Sequence, residues 1–484
     1  MLEQACWGSS SNKWQQFGQQ QAAVSAAGSA KVSAAGSATV SAAVWTAATS
    51  SFSSKFGISF CSSLDSSGEA VEGCAYARYC TTLLIIQHFN MVYDQSHKTK
   101  ISDSMLVLLA LACSLLGSAL VDGTRLVTAN NFESVKHKGT VKTIESDSGD
   151  VIDCVEIYKQ PAFDHPLLRN HTIEMEPSST PSGVKPTNNQ AKLIQDWFKN
   201  GECPDGTIPI IRPQRYDYNW RAPRRLDNSF GDNPYENHEY AKVFLPDGTY
   251  YGAHASMNVW TPATYDTDIS LAQIWVVSGA GEQLNTIEAG WITHSGRNQT
   301  RMFLYWTRDN YNSTGCYNLD CPGFVQTTRK YAVGAVIPRV SSYNGPQCSL
   351  VFTIVKAVPS GNWWLQIQGE YIGYWPGSIF TTLSDHSTRI TWGGEIGTST
   401  PHGRHTQTEM GSGHFPHEGY GKASYFYHVQ YADQPGSFKD ATSLIPYATK
   451  PLCYDIIVFP PREGTSYGTS FFYGGPGYSS SCQT

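Results

Sequence analysis

The chain carries little charge for its length: 15% of its 484 residues are Asp, Glu, Lys or Arg, and the net charge is -6. With no basic field, nucleic acid is excluded as the expected partner. Metal-ligand spacing is lacking as well. The 12 cysteines never form a CxxC pair and the 14 histidines never fall in an HxxxH or HExxH spacing, so no metal and no other cofactor is expected. From about residue 235 to the end no amphipathic helical pattern is found, which removes helical folds for that part.

Long apolar runs are scarce too. One stands out, Met105 to Val121, which is uncharged, Leu-rich and bounded by the small residues Gly117 and Ala119. At 17 residues it is short for a membrane span and reads as a signal-peptide core over 105–119. The alternative is a signal anchor, the one circumstance in which stable membrane association is expected. Residues 1–104 precede it and contain a low-complexity tract in which Val24-Ser25-Ala26-Ala27-Gly28-Ser29-Ala30 recurs from Val32. Such small residues cannot bury enough apolar area to offset their ordering entropy, so this extension is expected to be disordered and functionally silent. Met105 then reads as a natural start. Sequons at Asn170, Asn298 and Asn312 fit secretion through an oxidising compartment.

Aromatics, glycine and proline are abundant, with 27 Tyr, 13 Trp, 43 Gly and 25 Pro. Between about 135 and 225 lies a small α+β module. Strand patterns at 142–146 and 151–158 flank a Ser-Gly-Asp turn, helical spacing covers 190–199, and a further extended stretch spans 207–211. Cys154 and Cys203 are its only cysteines and are expected to pair. From 230 to 484 short strand-like runs recur between turns, among them 271–277, 331–337, 350–356 and 389–396. A dozen such runs imply an all-β sandwich or barrel. Cys316–Cys321 and Cys453–Cys482 are expected to close loops there, leaving Cys348 unpaired at the start of a strand.

Two glutamates carry the chemistry: Thr286-Ile287-Glu288-Ala289-Gly290-Trp291 and Trp392-Gly393-Gly394-Glu395-Ile396-Gly397. Each places an acid in an apolar strand of a weakly charged chain. Brought together on one sheet, two carboxyls can share a proton and hydrolyse an amide. Alternation puts Gly290 beside Glu288 and Gly393 beside Glu395, leaving room for a substrate backbone, while Trp291 and Trp392 point to the core. A hairpin over 294–299 sets Tyr305 opposite Glu288. His402, His405, His414 and His417 read as histidines of a Gly-rich loop, since no Gly-x-Ser-x-Gly elbow accompanies them. The competing reading is a non-catalytic secreted sandwich that binds cell-wall glycan or protein ligands through its aromatics.

Several longer segments resemble the plant neprosin family: Asp153-Cys154-Val155-Glu156-Ile157-Tyr158 through Leu168, Gly201-Glu202-Cys203-Pro204-Asp205-Gly206, Gly315-Cys316-Tyr317-Asn318-Leu319-Asp320-Cys321, Gly361-Asn362-Trp363-Trp364-Leu365-Gln366 and Met410-Gly411-Ser412-Gly413-His414-Phe415-Pro416. The resemblance implies an activation domain over 135–225 followed by a peptidase domain over 230–484, with Glu288 and Glu395 at the family's two catalytic positions. It implies an all-β, antiparallel two-sheet sandwich and a secreted glutamic endopeptidase, active in acid on proline-rich peptides or proteins and cutting after proline. Its own activation domain is then an intramolecular inhibitor. Apoplast or digestive fluid is the implied location, with the vacuole as alternative. The family carries a more basic run after Ile208-Pro209, where this chain has Ile210-Ile211-Arg212-Pro213, and a dibasic Arg224-Arg225 lies further on.

Overall fold

The computed structural model describes residues 6–7, 136–184, 195–213, 238–265, 267–294, 299–398, 405–461 and 466–483. The signal-like run, the dibasic site and nearly all of 1–104 lie outside them. Within that extension Cys6–Trp7 (β1) forms an antiparallel pair with a strand of the sandwich, Cys6 opposite Cys348.

The module begins with Thr140–Glu145 (β2), Val151–Glu156 (β3) and Thr207–Ile211 (β4), an antiparallel sheet in the order β2-β3-β4. The disulfide Cys154–Cys203 sits in its core with Ile152 and Trp197. Of the helix expected over 190–199, residues 190–194 lie outside the described set, and Asp196–Asn200 is a 3-10 turn. Gln195 explains the short element: its side chain bonds both Ala332 N and Ala332 O, anchoring the chain just before the turn. Gly201, at φ 138, ends it. Asp153 is buried in β3, the central strand of this sheet. Burial alone would raise its pKa, but His137, Arg212 and Thr143 all bond the carboxylate and hold it well below the usual range.

The sandwich contains, in chain order, His238–Phe244 (β5), Gly252–Asn258 (β6), Ile269–Ser278 (β7), Asn285–His294 (β8), Arg301–Thr307 (β9), Val325–Gln326 (β10), Gln347–Ala357 (β11) and Asn362–Ile367 (β12). Glu370–Trp375 (β13), Arg389–Gly397 (β14), Ser424–Gln434 (β15), Ser437–Asp440 (β16), Ile445–Ala448 (β17), Asp455–Phe459 (β18) and Ser470–Gly474 (β19) complete it. Among the described residues these build two antiparallel sheets, one in the order β17-β5-β14-β7-β8-β9. The other runs β10-β13-β12-β11-β6-β15-β19-β18, with β1 beside β11 and β16 beside β15. An antiparallel two-sheet sandwich preceded by a small module is therefore the architecture.

One face of each sheet feeds a continuous core. Ile274, Trp291, Leu304 and Trp392 from the six-stranded sheet meet Met257, Phe352, Trp363 and Leu365 from the larger one. Trp291 and Trp392 are fully buried, on the face away from the glutamates, and losing either would cost about 3–5 kcal/mol. The module joins this core through Val155, Ala162, Leu168, Ile173 and Ile208. Polar ties fasten it further: Gln160 exchanges two bonds with Gln326, His171 meets the Tyr374 hydroxyl at 2.7 Å, and Asp150 pairs with Arg301 at 2.9 Å.

Within the sandwich two further sequence expectations need correction. Residues 331–337 make only isolated bridges, Val333 with Ile210 and Val336 with Arg301, because Gly334 at φ 89 turns the chain between them. Cys348 is disulfide-bonded, not free. Spacing within the sandwich could not reveal this, since the register sets Cys348 against the far N-terminal extension. The other two pairs, Cys316–Cys321 and Cys453–Cys482, are bonded as expected. Among the described residues no helix is long and apolar enough to cross a membrane.

Candidate active site

Strand alternation and register bring the two glutamates to one face. Along β7, Leu271 is opposite Glu395 of β14, and Trp275 is opposite Glu288 of β8. Residues opposite each other share a face, as do positions two apart, so Glu288, Glu395, Leu271, Gln273 and Trp275 all project from the same side. The glutamates are not directly opposite. They lie on a diagonal across β7, with Gln273 at its midpoint and Gly393 and Gly290 flanking it on either side. An aromatic cluster of Tyr240, Trp275, Phe303, Tyr305, Tyr311 and Tyr317 fills this face, and each glutamate is 1% exposed.

Each carboxylate has its own donors. Glu288 Oε1 accepts from the Tyr311 hydroxyl at 2.5 Å and from Thr286 Oγ1 at 3.0 Å. Burial first, and then the charge of Glu288, push the Tyr311 phenol well above its ordinary pKa, so it stays a hydroxyl donor. Glu395 Oε1 meets His238 Nδ1 at 2.8 Å, and its Oε2 accepts from Gln273 Nε2 at 3.0 Å. Lys242, two positions from Tyr240 on β5, holds its ammonium 3.9 Å from that ring's centroid. Burial lowers its pKa to about 8, against the attraction of Glu395 and with the repulsion of Arg389.

Tyr311 is delivered by a tight loop after β9. Asp309 ties that loop together, accepting from Ser313 N at 2.9 Å and Ser313 Oγ at 2.5 Å, and from Thr314 Oγ1 at 2.6 Å. Burial opposes ionisation there, yet these donors hold the Asp309 pKa down at about 2. Asn310 and Tyr311 both adopt left-handed backbone, at φ 56 and φ 59. For a bulky tyrosine that conformation is strained, and the Asp309 network together with the bond from Tyr311 N to Thr307 Oγ1 maintains it.

Tyr305 lies opposite Glu288 in the β8–β9 register, as the hairpin count predicts. Its ring packs 5.5 Å from Tyr311 and 4.8 Å from Tyr317, and the phenol bonded to Glu288 is that of Tyr311. The sequence assigns Gly290 and Gly393 to the substrate backbone, but the neighbouring strands already demand glycine. A Cβ on Gly290 would stand 1.9 Å from Ala272 O, and one on Gly393 would stand 2.5 Å from both Ala241 O and Lys242 Cα. Gly393 also takes φ 153.

The loop histidines have partners of their own. His405 Nε2 meets Glu239 at 2.8 Å and His414 meets Glu418 at 3.0 Å, while His402 lies outside the described residues. His405 is also grouped with Cys453 and Cys482, but that disulfide leaves no thiolate to bind a metal. Asn170 and Asn312 are exposed, and Asn298 is outside the described set. The residues missed by sequence reasoning are Tyr311, Gln273, His238 and Thr286. Thr286 alone had a local signal, since it sits two positions from Glu288 on the same face.

Scytalido-glutamic peptidase bound to a peptide-based transition-state analogue is similar in structure, 10% identical over 50% of this chain and 98% of its own, at a TM-score of 0.27. SCP-B of the Eqolisin family, in complex with the tripeptide Ala-Ile-His, is 9% identical over 50% and 98%, at 0.25. Likenesses this distant bear on neither activity nor substrate. In sequence, the family described as Neprosin matches residues 266–476, which include both glutamates. The Neprosin activation peptide matches residues 143–249, the module together with β5. The chain belongs to the neprosin family, an activation peptide followed by a neprosin domain.

Proposed function

We propose that the chain is a secreted glutamic endopeptidase that hydrolyses peptide bonds, with a preference for cutting after proline, in acid. The observation that supports this most directly is the placement of Glu288 and Glu395 on one buried face, each held by its own donors, in a chain of this family. In acid one carboxyl is ionised and the other protonated. The ionised one takes a proton from water as the water oxygen attacks the scissile carbonyl carbon. The protonated one stabilises the developing oxyanion and then gives its proton to the nitrogen as the C–N bond breaks. Both carboxyls return to their starting states when the protons redistribute.

The aromatic wall beside Glu288, made by Trp275, Tyr305, Tyr311 and Tyr317, supports a site for a pyrrolidine ring. Apolar contact of that kind discriminates by about 1–3 kcal/mol, so preference with leakage to other small residues is the expected pattern. The activation peptide acts as an intramolecular inhibitor in this proposal. It is joined to the sandwich through residues 214–237, and that connection has to arrive at His238, which touches Glu395. Cleavage at or near Arg224-Arg225 would release the connection at the active face.

The test is to acidify the purified chain, follow its processing, and assay it from pH 3 to 7 on a library of proline-containing peptides. Glu288→Gln and Glu395→Gln should each lose activity while keeping the melting profile of a folded protein, because Gln keeps the volume but cannot hold or release a proton. Near-normal turnover in either variant would refute the proposal. Inhibition by chelators or serine-directed reagents would also refute it.

A further inference from the structure

His238 is the first residue of β5 and stands beside one of the two glutamates. It lies opposite Gly397 on β14, the last glycine of the Trp392-Gly393-Gly394-Glu395-Ile396-Gly397 motif. A Cβ on Gly397 would stand 2.8 Å from Ile269 Cγ1 and 3.4 Å from His238 Cε1. The imidazole therefore packs over this glycine, and from there Nδ1 reaches Glu395 Oε1 at 2.8 Å. With Gln273 on Oε2, both oxygens of Glu395 are held. The carboxylate is 1% exposed while the imidazole side chain is 16% exposed, so the ring covers the acid from the solvent side.

A carboxylate that accepts on both oxygens is stabilised in its ionised form, more so when one donor carries charge. The other titratable groups on this face are Tyr240 and Lys242 on the same strand and Glu288 and His294 on β8. Strand β7 presents the neutral Leu271, Gln273 and Trp275. Glu239, next in sequence, points to the opposite face, where His405 and Lys450 hold it.

We propose that His238 is a positioning residue that orients Glu395 and keeps it ionised in acid, which makes Glu395 the base toward water and Glu288 the acid. This rests on the peptidase reading above. It also places a residue from the segment matched by the activation peptide inside the working site of the neprosin domain.

The experiment measures kcat and KM against pH for the processed wild type, His238→Gln and His238→Ala on one proline-containing peptide. With His238→Ala the acidic limb should move up by about one pH unit, so that kcat/KM falls about tenfold at pH 4 and by less at pH 6, with KM nearly unchanged. His238→Gln should lie between, because its amide can still donate to Glu395. A uniform fall at every pH would mark a merely structural role and overturn the proposal, as would an unmoved limb. A thermal double-mutant cycle of His238→Ala with Glu395→Gln reads the contact without any turnover. The losses in Tm at pH 5 should be less than additive, and additive losses would overturn the contact. A wild type that cleaves nothing overturns the peptidase reading and this role with it. An active enzyme whose acidic limb ignores His238 overturns this inference alone.

Discussion

Replacing Tyr311 by Phe isolates one hydrogen bond at the site. The ring stays, with its contact to Tyr305 at a centroid distance of 5.5 Å, and only the hydroxyl that donates to Glu288 Oε1 at 2.5 Å is lost. A hydrogen bond to a charged group contributes about 1.5–3 kcal/mol. Thr286 still donates to the same oxygen at 3.0 Å, so the lower end applies, about 1.5 kcal/mol or roughly one pH unit. The direction follows from the donor. Tyr311 remains a hydroxyl throughout the working range because burial, and then the charge of Glu288, push its pKa well up. It therefore favours the ionised carboxylate, and without it Glu288 keeps its proton to higher pH. With Glu288 as the acid, the alkaline limb of kcat/KM should move up by about one pH unit. Stability shows the same sign: the bond to the ionised form contributes at neutral pH and fades as Glu288 is protonated, so the loss in Tm should be about 4 °C at pH 7 and smaller at pH 3. Peptide kinetics across pH and calorimetry at the two pH values provide the readout. An alkaline limb that stays in place or moves down, or a Tm loss that grows in acid, would refute the reasoning.

Two further outcomes test the framework around the site. Cys154→Ser with Cys203→Ser opens a link with a sequence separation of 49, and loop-closure entropy puts the destabilisation of the module at about 4 kcal/mol; urea unfolding of the full chain followed by Trp197 fluorescence should show the module melting first. Gly290→Ala drives a methyl to within 1.9 Å of the Ala272 carbonyl, a backbone atom that cannot swing aside, so β7 and β8 must part at a cost of about 3 kcal/mol, and an unchanged Tm would show that the sheet relaxes freely there.

What the sequence determined by itself is the part set by local pattern. Alternating apolar runs dictated the strands, because side chains on a strand fall on opposite faces with a period of two. The same rule turned Trp291 and Trp392 into the core, where both are fully buried, and a short hairpin count set Tyr305 opposite Glu288. Close or isolated cysteine pairs were legible for a similar reason, since few partners were in reach. The tertiary structure decided what surrounds the acids. Tyr311 comes from 23 residues beyond Glu288, Gln273 from 122 residues before Glu395 and His238 from 157 before it, so no window of sequence contains a carboxylate and its long-range donors. The glycines show the same limit. A glycine beside an acid reads as room for a ligand, but only the approach of neighbouring strands reveals that Gly290 and Gly393 are needed to admit backbone, and that Gly397 faces the side chain of Ile269. Hydrogen bonding and close packing act over a few ångströms in space, and the fold alone sets which residues come within that distance.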